Sequence, residues 1–145
     1  MSDRPVAFIT GAAHGQGRAT SLALAADGYD IVALDVAAAL AYPGYEMGTA
    51  QELESLRADC EASGATCLPA VADVRDADAV AQAVGAAIDR FGRIDVLFNN
   101  AGICAYGLAH ELPSARRGTC CPCRGSSPAT SPRRSGFSSP TGRAT

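Results

Sequence analysis

Apolar positions follow two rhythms along this chain. Short, nearly unbroken runs, "PVAFIT" (5–10), "DIVALDV" (30–36), "TCLPAVADV" (66–74) and "IDVLFNNAG" (94–102), alternate with longer stretches in which apolar residues recur every three or four positions. The runs read as strands, and near-continuous apolarity is the mark of parallel strands covered on both faces. The longer stretches read as helices. "GQGRATSLALAADG" sets Ala19, Leu22, Ala23 and Ala26 at helical spacing, with Gly28 as its stop. "AQELESLRADCEAS" starts beside Thr49 and Glu52, which stand at capping-box spacing, and Gly64 closes it. "DADAVAQAVGAAIDRFG" aligns Val80, Val84, Ala87, Ile88 and Phe91 on one stripe. Residues 37–48 form a connection, and Pro69 argues against a long third strand. The order βαβαβαβ predicts an α/β fold with a doubly wound parallel sheet.

From residue 116 both rhythms stop. The last 30 residues contain one large apolar side chain, Phe137, while Arg, Ser, Pro, Gly and Thr make up 24 of them. Such a segment buries too little apolar surface to offset about 1–2 kcal/mol of backbone entropy per residue, which predicts a disordered tail over 116–145 behind an ordered region over 1–115.

Charge divides at the same place. Residues 1–115 hold six Arg and all 15 acids, whereas 116–145 hold six Arg and no acid, so a net −3 hides −9 and +6. Lys is absent throughout. No apolar run reaches the roughly 18 residues of a membrane helix, and "MSDRPVAFITG" lacks a signal-peptide layout. The expectation is a cytoplasmic protein without a membrane partner.

The chemistry begins at "TGAAHGQG" (10–17), between the first strand and the first helix. Glycines there permit a tight turn and let the backbone approach a pyrophosphate at the helix N-terminus. His14 and Gln16 belong to the same loop; His14 could touch a phosphate, although facing solvent is the plainer reading. Asp35 ends the second strand, 18 residues beyond Gly17. An acid at that point can accept both ribose hydroxyls of NAD and repels the 2′-phosphate of NADP. Asp73 and Val74 follow the third strand and could border an adenine ring, with a helix-capping Asp as the alternative. "NNAG" (99–102) ends the fourth strand at the same sheet edge, where doubly wound folds bind ligands.

"TGAAHGQG", "ADV" and "NNAG", in this order and spacing, resemble the short-chain dehydrogenase/reductase family over roughly residues 4–115. The resemblance implies a Rossmann-type sheet, truncated here after its fourth strand, and an NAD cofactor. It implies that Gly11, Gly15 and Gly17 line the pyrophosphate, that Asp35 holds the adenine ribose, and that Asp73 and Val74 flank adenine. Asn100, Ala101 and Gly102 would lie beside the cofactor. The "GQG" ending and the Tyr/Pro-bearing segment before Thr49 are similar to a carveol-dehydrogenase-like, mycofactocin-coupled subgroup. The family reaction is hydride transfer between NAD and an alcohol or ketone.

That reaction uses a Tyr with a Lys four residues on, a Ser about a dozen residues before, and a relay Asn. Without Lys no such Tyr–Lys pair exists, and the four Tyr (29, 42, 45 and 106) all precede the region where it would fall. No catalytic residue is therefore assigned, and the chain is expected to be inactive alone. The family's oligomeric state does not carry over, because its association helices lie beyond the resemblance.

The tail offers little else. Cys120 and Cys123 have CxxC spacing, but two further ligands for zinc are absent, and Pro122 does not suit a redox motif, so no metal site is assigned. Cys60, Cys67 and Cys104 read as buried free thiols. His110 reads as an exposed loop residue. Nucleic acid is disfavoured as a partner because Phe137 is the tail's one aromatic, although a nonenzymatic nucleotide-binding or interaction module with a basic arm remains the alternative function. High-GC coding DNA read out of frame yields this tail's composition, so a frameshift near residue 116 is the expectation. The nucleotide sequence across codons 110–125 decides it.

Overall fold

The computed structural model describes residues 3–38 and 47–103. Within them the chain forms β1 (Val6–Thr10), α1 (Gly15–Ala26), β2 (Asp30–Asp35), α2 (Ala50–Ala62), β3 (Cys67–Val71), α3 (Ala77–Phe91) and β4 (Val96–Phe98). The four strands are parallel and lie in the order β3-β2-β1-β4. The doubly wound parallel sheet expected from the apolar runs is present.

Both faces of the two central strands are covered, which explains why β1 and β2 are apolar at nearly every position, whereas Val71 of β3 and Leu97 of β4 are 64% and 59% exposed. Ala7 and Ile9 of β1 and Ile31 and Ala33 of β2 join Ala25 of α1 and Leu53, Leu56 and Cys60 of α2. Val6 and Phe8, with Val32 and Leu34, point the other way, against Ala83, Ala87 and Phe91 of α3. Full burial of a side chain such as Leu56 or Phe91 contributes about 1.5–3 kcal/mol. Helices α1 and α2 share one face, and the chain then crosses to α3 on the other while passing from one edge of the sheet to the opposite edge. Sheet order therefore reverses between β1 and β4, and a crevice opens at the carboxyl ends of those two strands.

Local signals account for the element ends. Thr49 Oγ1 accepts the Glu52 N–H at 3.1 Å, and the Glu52 carboxylate accepts the Thr49 N–H at 2.8 Å, closing the expected capping box. Gly28, Gly64 and Gly92 follow the three helices with φ of +93°, +83° and +81°. Pro69 is accommodated because β3 is an edge strand: Thr66 O and Ala72 N bond to β2, so by alternation the Pro69 nitrogen faces outward. At the amino edge, Arg4 donates to Ala25 O, Gly28 O and Gly64 O and stands 3.5 Å from the buried Asp30 carboxylate.

On two helices the apolar positions that spacing picks out coincide only partly with the buried face. On α1 the buried positions are Gly17, Ser21 and Ala25, whereas Ala19, Ala23 and Ala26 are exposed and Leu22 is half-buried. The helix lies so close to β1 that only the smallest side chains fit beneath it. On α3, Ala87 and Phe91 are buried as expected and Ala83 joins them, but Val84 and Ile88 remain 37% and 44% exposed. Val84 instead lines an apolar groove with Phe8, Ile94 and Leu97.

Cys60 and Cys67 are buried free thiols, as expected. The expectations for Cys104, His110, the tail cysteines and tail disorder lie outside the described residues. No helix among the described residues is long and apolar enough to cross a membrane.

Candidate functional site

The crevice at the β1/β4 switch is built on a clasp. Thr10 Oγ1, at the end of β1, accepts the N–H groups of Asn100 and Ala101, each at 3.0 Å. The Asn100 side-chain amide donates back to Thr10 O at 3.1 Å and Gly11 O at 3.0 Å. Asn100 thus shapes the glycine loop and joins it to β4. The spacing of "NNAG" gave Asn100 as a candidate; Thr10 was not singled out, and only the pairing of β1 with β4 reveals its part.

The loop's three family glycines differ in their reasons. Gly11 has φ +65°, and a Cβ there would stand 2.9 Å from Ala101 Cα. At Gly17 a Cβ would lie 2.0 Å from Gly11 O and 2.8 Å from Asn100 Nδ2, so α1 can begin here only without a side chain. Gly15 has φ +57° with nothing within 4 Å: conformation requires the glycine, and the space beside it is open. His14 is the exposed N-cap of α1 but makes no side-chain cap bond, and Gln16 is exposed in the first turn. No acidic residue stands in that turn. Among the described residues no side chain caps this end, so the helix presents its first backbone N–H groups and the positive end of its dipole, which is the arrangement an anion fits.

Asp35 closes the neighbouring wall. It is 4% exposed, with Oδ2 accepting the Ala13 N–H at 3.0 Å and Oδ1 accepting the Ala37 N–H at 3.1 Å. Each oxygen keeps a lone-pair site for a further donor. Ala37 adopts φ +46°, a strained region for a residue with a Cβ, and its N–H bond to Asp35 accompanies that conformation. Gly48 packs over this corner; a Cβ there would approach Ala13 Cβ to 2.6 Å, Asp35 Oδ1 to 3.0 Å and His14 Nδ1 to 3.1 Å. Gly48 was not anticipated, because its neighbours are distant in sequence.

Asp73 and Val74 follow β3 at the same edge of the sheet. Asp73 does not cap a helix. Asp76 caps α3 instead, accepting from the Asp78 and Ala79 N–H groups, both at 3.1 Å. The Asp73 carboxylate is engaged by Arg75, whose Nε lies 3.0 and 2.9 Å from its two oxygens and whose backbone N–H donates at 2.9 Å. This guanidinium holds the Asp73 carboxyl below the usual carboxylate range. A depressed folded-state pKa means that the pair's contribution is present above the unfolded value and lost as pH falls through the lowered one. Arg75→Ala is expected to return the Asp73 midpoint toward an ordinary carboxylate, read by side-chain carboxyl NMR; an unmoved midpoint would contradict the assignment. Val74 packs toward the α3 core and lines, with Phe8, Thr10, Val80, Leu97 and Asn99, an apolar groove beside β4. Ala101 is half-buried and Gly102 exposed. Among the described residues no group of three or more His, Cys, Asp or Glu could hold a metal.

A parallel α/β sheet with a glycine loop, a strand-end acid and a switch-point crevice defines the class of dinucleotide-binding folds. Comparisons narrow that class. The short chain dehydrogenase family model matches residues 5–120. The chain is 40% identical over 109 residues to (-)-trans-carveol dehydrogenase of Rhodococcus erythropolis, covering 74% of this chain and 39% of that protein. It is similar to the structure of carveol dehydrogenase from Mycobacterium avium in complex with NAD, with a TM-score of 0.73 at 33% identity, covering 77% of this chain and 40% of the other. A short chain dehydrogenase from Mycobacterium paratuberculosis bound to NAD gives 0.67 at 39% identity, covering 70% and 38%. The chain belongs to the short-chain dehydrogenase family and spans between about a quarter and two fifths of the length of the curated relatives it matches.

Proposed function

We propose that residues 1–115 are the NAD-binding part of a short-chain oxidoreductase, and that this chain binds NAD without turning over an alcohol or ketone. The observation that carries the reading is the convergence of an uncapped α1 N-terminus and the Asp35 carboxylate on the carboxyl edge of one sheet. Gly11, Gly15 and Gly17, with His14 and Gln16, would surround the pyrophosphate. Asp35 would accept the adenosine ribose hydroxyls through the lone pairs left by Ala13 and Ala37. Asp73 and Val74 would border adenine, and Asn100, Ala101 and Gly102 would lie under the nicotinamide half. NAD supplies a hydride acceptor; the residues named bind and orient it. The family's Tyr–Lys pair has no counterpart, because the chain contains no Lys.

Calorimetry on the purified full chain is expected to show NAD binding, and NADP binding weaker by about tenfold or more, since Asp35 faces the 2′-phosphate. Secondary alcohols with NAD are expected to give no growth of NADH absorbance. Turnover abolished by Asp35→Ala would overturn the inactivity. A second reading rests on the six Arg of 116–145: a nonenzymatic module with a basic arm. Salt-sensitive RNA binding without NAD binding would favour it.

A further inference from the structure

The strand order lays out the sheet edge in the chemical sequence of a dinucleotide. β1 ends in the glycine loop, β2 ends in Asp35, and β3, next across, ends just before Asp73. Neighbouring strands stand about 4.8 Å apart, which is close to the step from a ribose to its base. The Ala72 N–H donates to Asp35 O at 2.9 Å, so Asp73 stands one residue beyond a bond to Asp35. The Asp76 N–H donates to Asp73 O at 2.9 Å, and Val74 packs against the α3 core, which ties down the turn that carries Asp73. Arg75 then closes on the carboxylate. Its backbone N–H reaches Oδ1 at 2.9 Å, its Nε lies 3.0 and 2.9 Å from the two oxygens, and its Nη2 lies 2.5 Å from Oδ2. Three N–H donors thus share the roughly four lone-pair sites of a carboxylate, which leaves one acceptor site open. The Asp73 side chain is 29% exposed and that of Arg75 67%, so the pair is accessible to a ligand.

We propose, on the NAD reading above, that Arg75 is a positioning residue that makes this site selective for a 6-amino purine. Arg75 holds the Asp73 carboxylate, whose open site accepts one N–H from the exocyclic amino group of adenine. Hypoxanthine carries a carbonyl oxygen at that position, so two acceptors would face each other. The carboxyl does not relieve that conflict by taking up a proton, because the Arg75 side-chain hydrogen bond holds it below the usual carboxylate range. Hypoxanthine does offer a donor, N1–H, one ring atom away. A carboxylate free to turn can follow that donor, whereas one gripped by a planar guanidinium fork and a backbone N–H cannot. Arg75 therefore converts a plain acceptor into a selector without touching the base itself.

The probes are NAD and nicotinamide hypoxanthine dinucleotide, which differ only in the purine. Calorimetry on the purified full chain is expected to show NAD bound about tenfold or more tightly than the hypoxanthine form. In Arg75→Leu that preference is expected to shrink to within about threefold. Losing the cation also leaves an uncompensated carboxylate near the pyrophosphate, but that charge weakens both dinucleotides alike and cancels from the ratio. A purely structural part for Arg75 would likewise lower both affinities and leave the ratio unmoved. Arg75→Lys keeps the charge without the fork and is expected to lose the preference too, which serves should Arg75→Leu fail to fold. Asp73→Asn can turn an N–H toward the base, and it is expected to bind the hypoxanthine dinucleotide at least as well as NAD. Equal wild-type affinities for the two dinucleotides, or a full preference kept in Arg75→Leu or Arg75→Lys, overturn the part assigned to Arg75 and leave the NAD reading standing. Binding of neither dinucleotide overturns both.

Discussion

Asp35→Asn is expected to weaken NAD binding by roughly 100-fold. In the proposed role the carboxylate would accept two ribose hydroxyls, and a hydrogen bond to a charged group contributes about 1.5–3 kcal/mol, so losing charge and one acceptor would remove on the order of 3 kcal/mol. The substitution also touches the fold. Both carboxylate oxygens accept backbone N–H groups, from Ala13 and Ala37, in a corner that is 4% exposed. An Asn amide turns a donor toward one of them, and that conflict costs about 1–3 kcal/mol of stability. Affinity is therefore read by calorimetry at a temperature where circular dichroism shows the variant folded. NADP sharpens the experiment, because removing the negative charge should narrow the preference for NAD. An affinity within about threefold of wild type, with that preference unchanged, would mean that the ribose is held elsewhere.

The second large effect separates two glycines two residues apart. Gly17→Ala is expected to lower the melting temperature by more than about 10 °C, and Gly15→Ala by about 4–8 °C. At Gly17 the added carbon meets the Gly11 carbonyl oxygen at 2.0 Å and the Asn100 amide at 2.8 Å. The Gly11 backbone and the Asn100 side-chain amide flank it, so relief requires α1 to lift from β1 or the Asn100 clasp to break. At Gly15 the added carbon meets nothing within 4 Å, and only the left-handed conformation at φ +57° is penalised, by about 1–2 kcal/mol. Thermal unfolding followed by circular dichroism measures both. Equal shifts would show that the phosphate loop yields locally, and that the close approach of α1 to β1 does not hold the site together.

Much of this architecture was legible because the central strands β1 and β2, buried on both faces, must be apolar at nearly every position, and the edge strands β3 and β4 carry enough apolar residues to show as runs too. The capping box at Thr49 and Glu52 was legible for a similar reason: both partners sit within one turn. The helical spacing of Ala19, Leu22, Ala23 and Ala26 marks α1 as a helix but not its buried face, because a helix pressed against a strand selects Gly17, Ser21 and Ala25 for smallness. Val84 and Ile88 share the apolar stripe of α3 by spacing, but spacing does not say which part of a stripe is covered, and both are exposed among the described residues. The glycine loop, Asp35 and "NNAG" stood out as a pattern. Thr10, Arg75 and Gly48 did not, since their roles depend on tertiary contacts or turn geometry that spacing alone does not express. Asp73 illustrates the limit well: a carboxylate after a strand and before a helix is consistent with capping, yet Asp76 takes that role and Arg75 claims Asp73.

The clasp at Thr10 and Asn100 also bears on the order in which the protein acquires its shape. The residues that would cradle phosphate stand near the start of the chain, but three of the four hydrogen bonds from Asn100 and Ala101 that fix them span 90 or 91 residues and the fourth spans 89. Contacts of such separation carry the full loop-closure cost before they return any stability, so they form late. A nascent chain that has passed β3 can already pair β1 with β2 and β2 with β3, but its glycine loop still lacks the partner that shapes it. Ligand recognition would then be the last property to mature, arriving with β4, although its most recognisable motif is among the first to be synthesised.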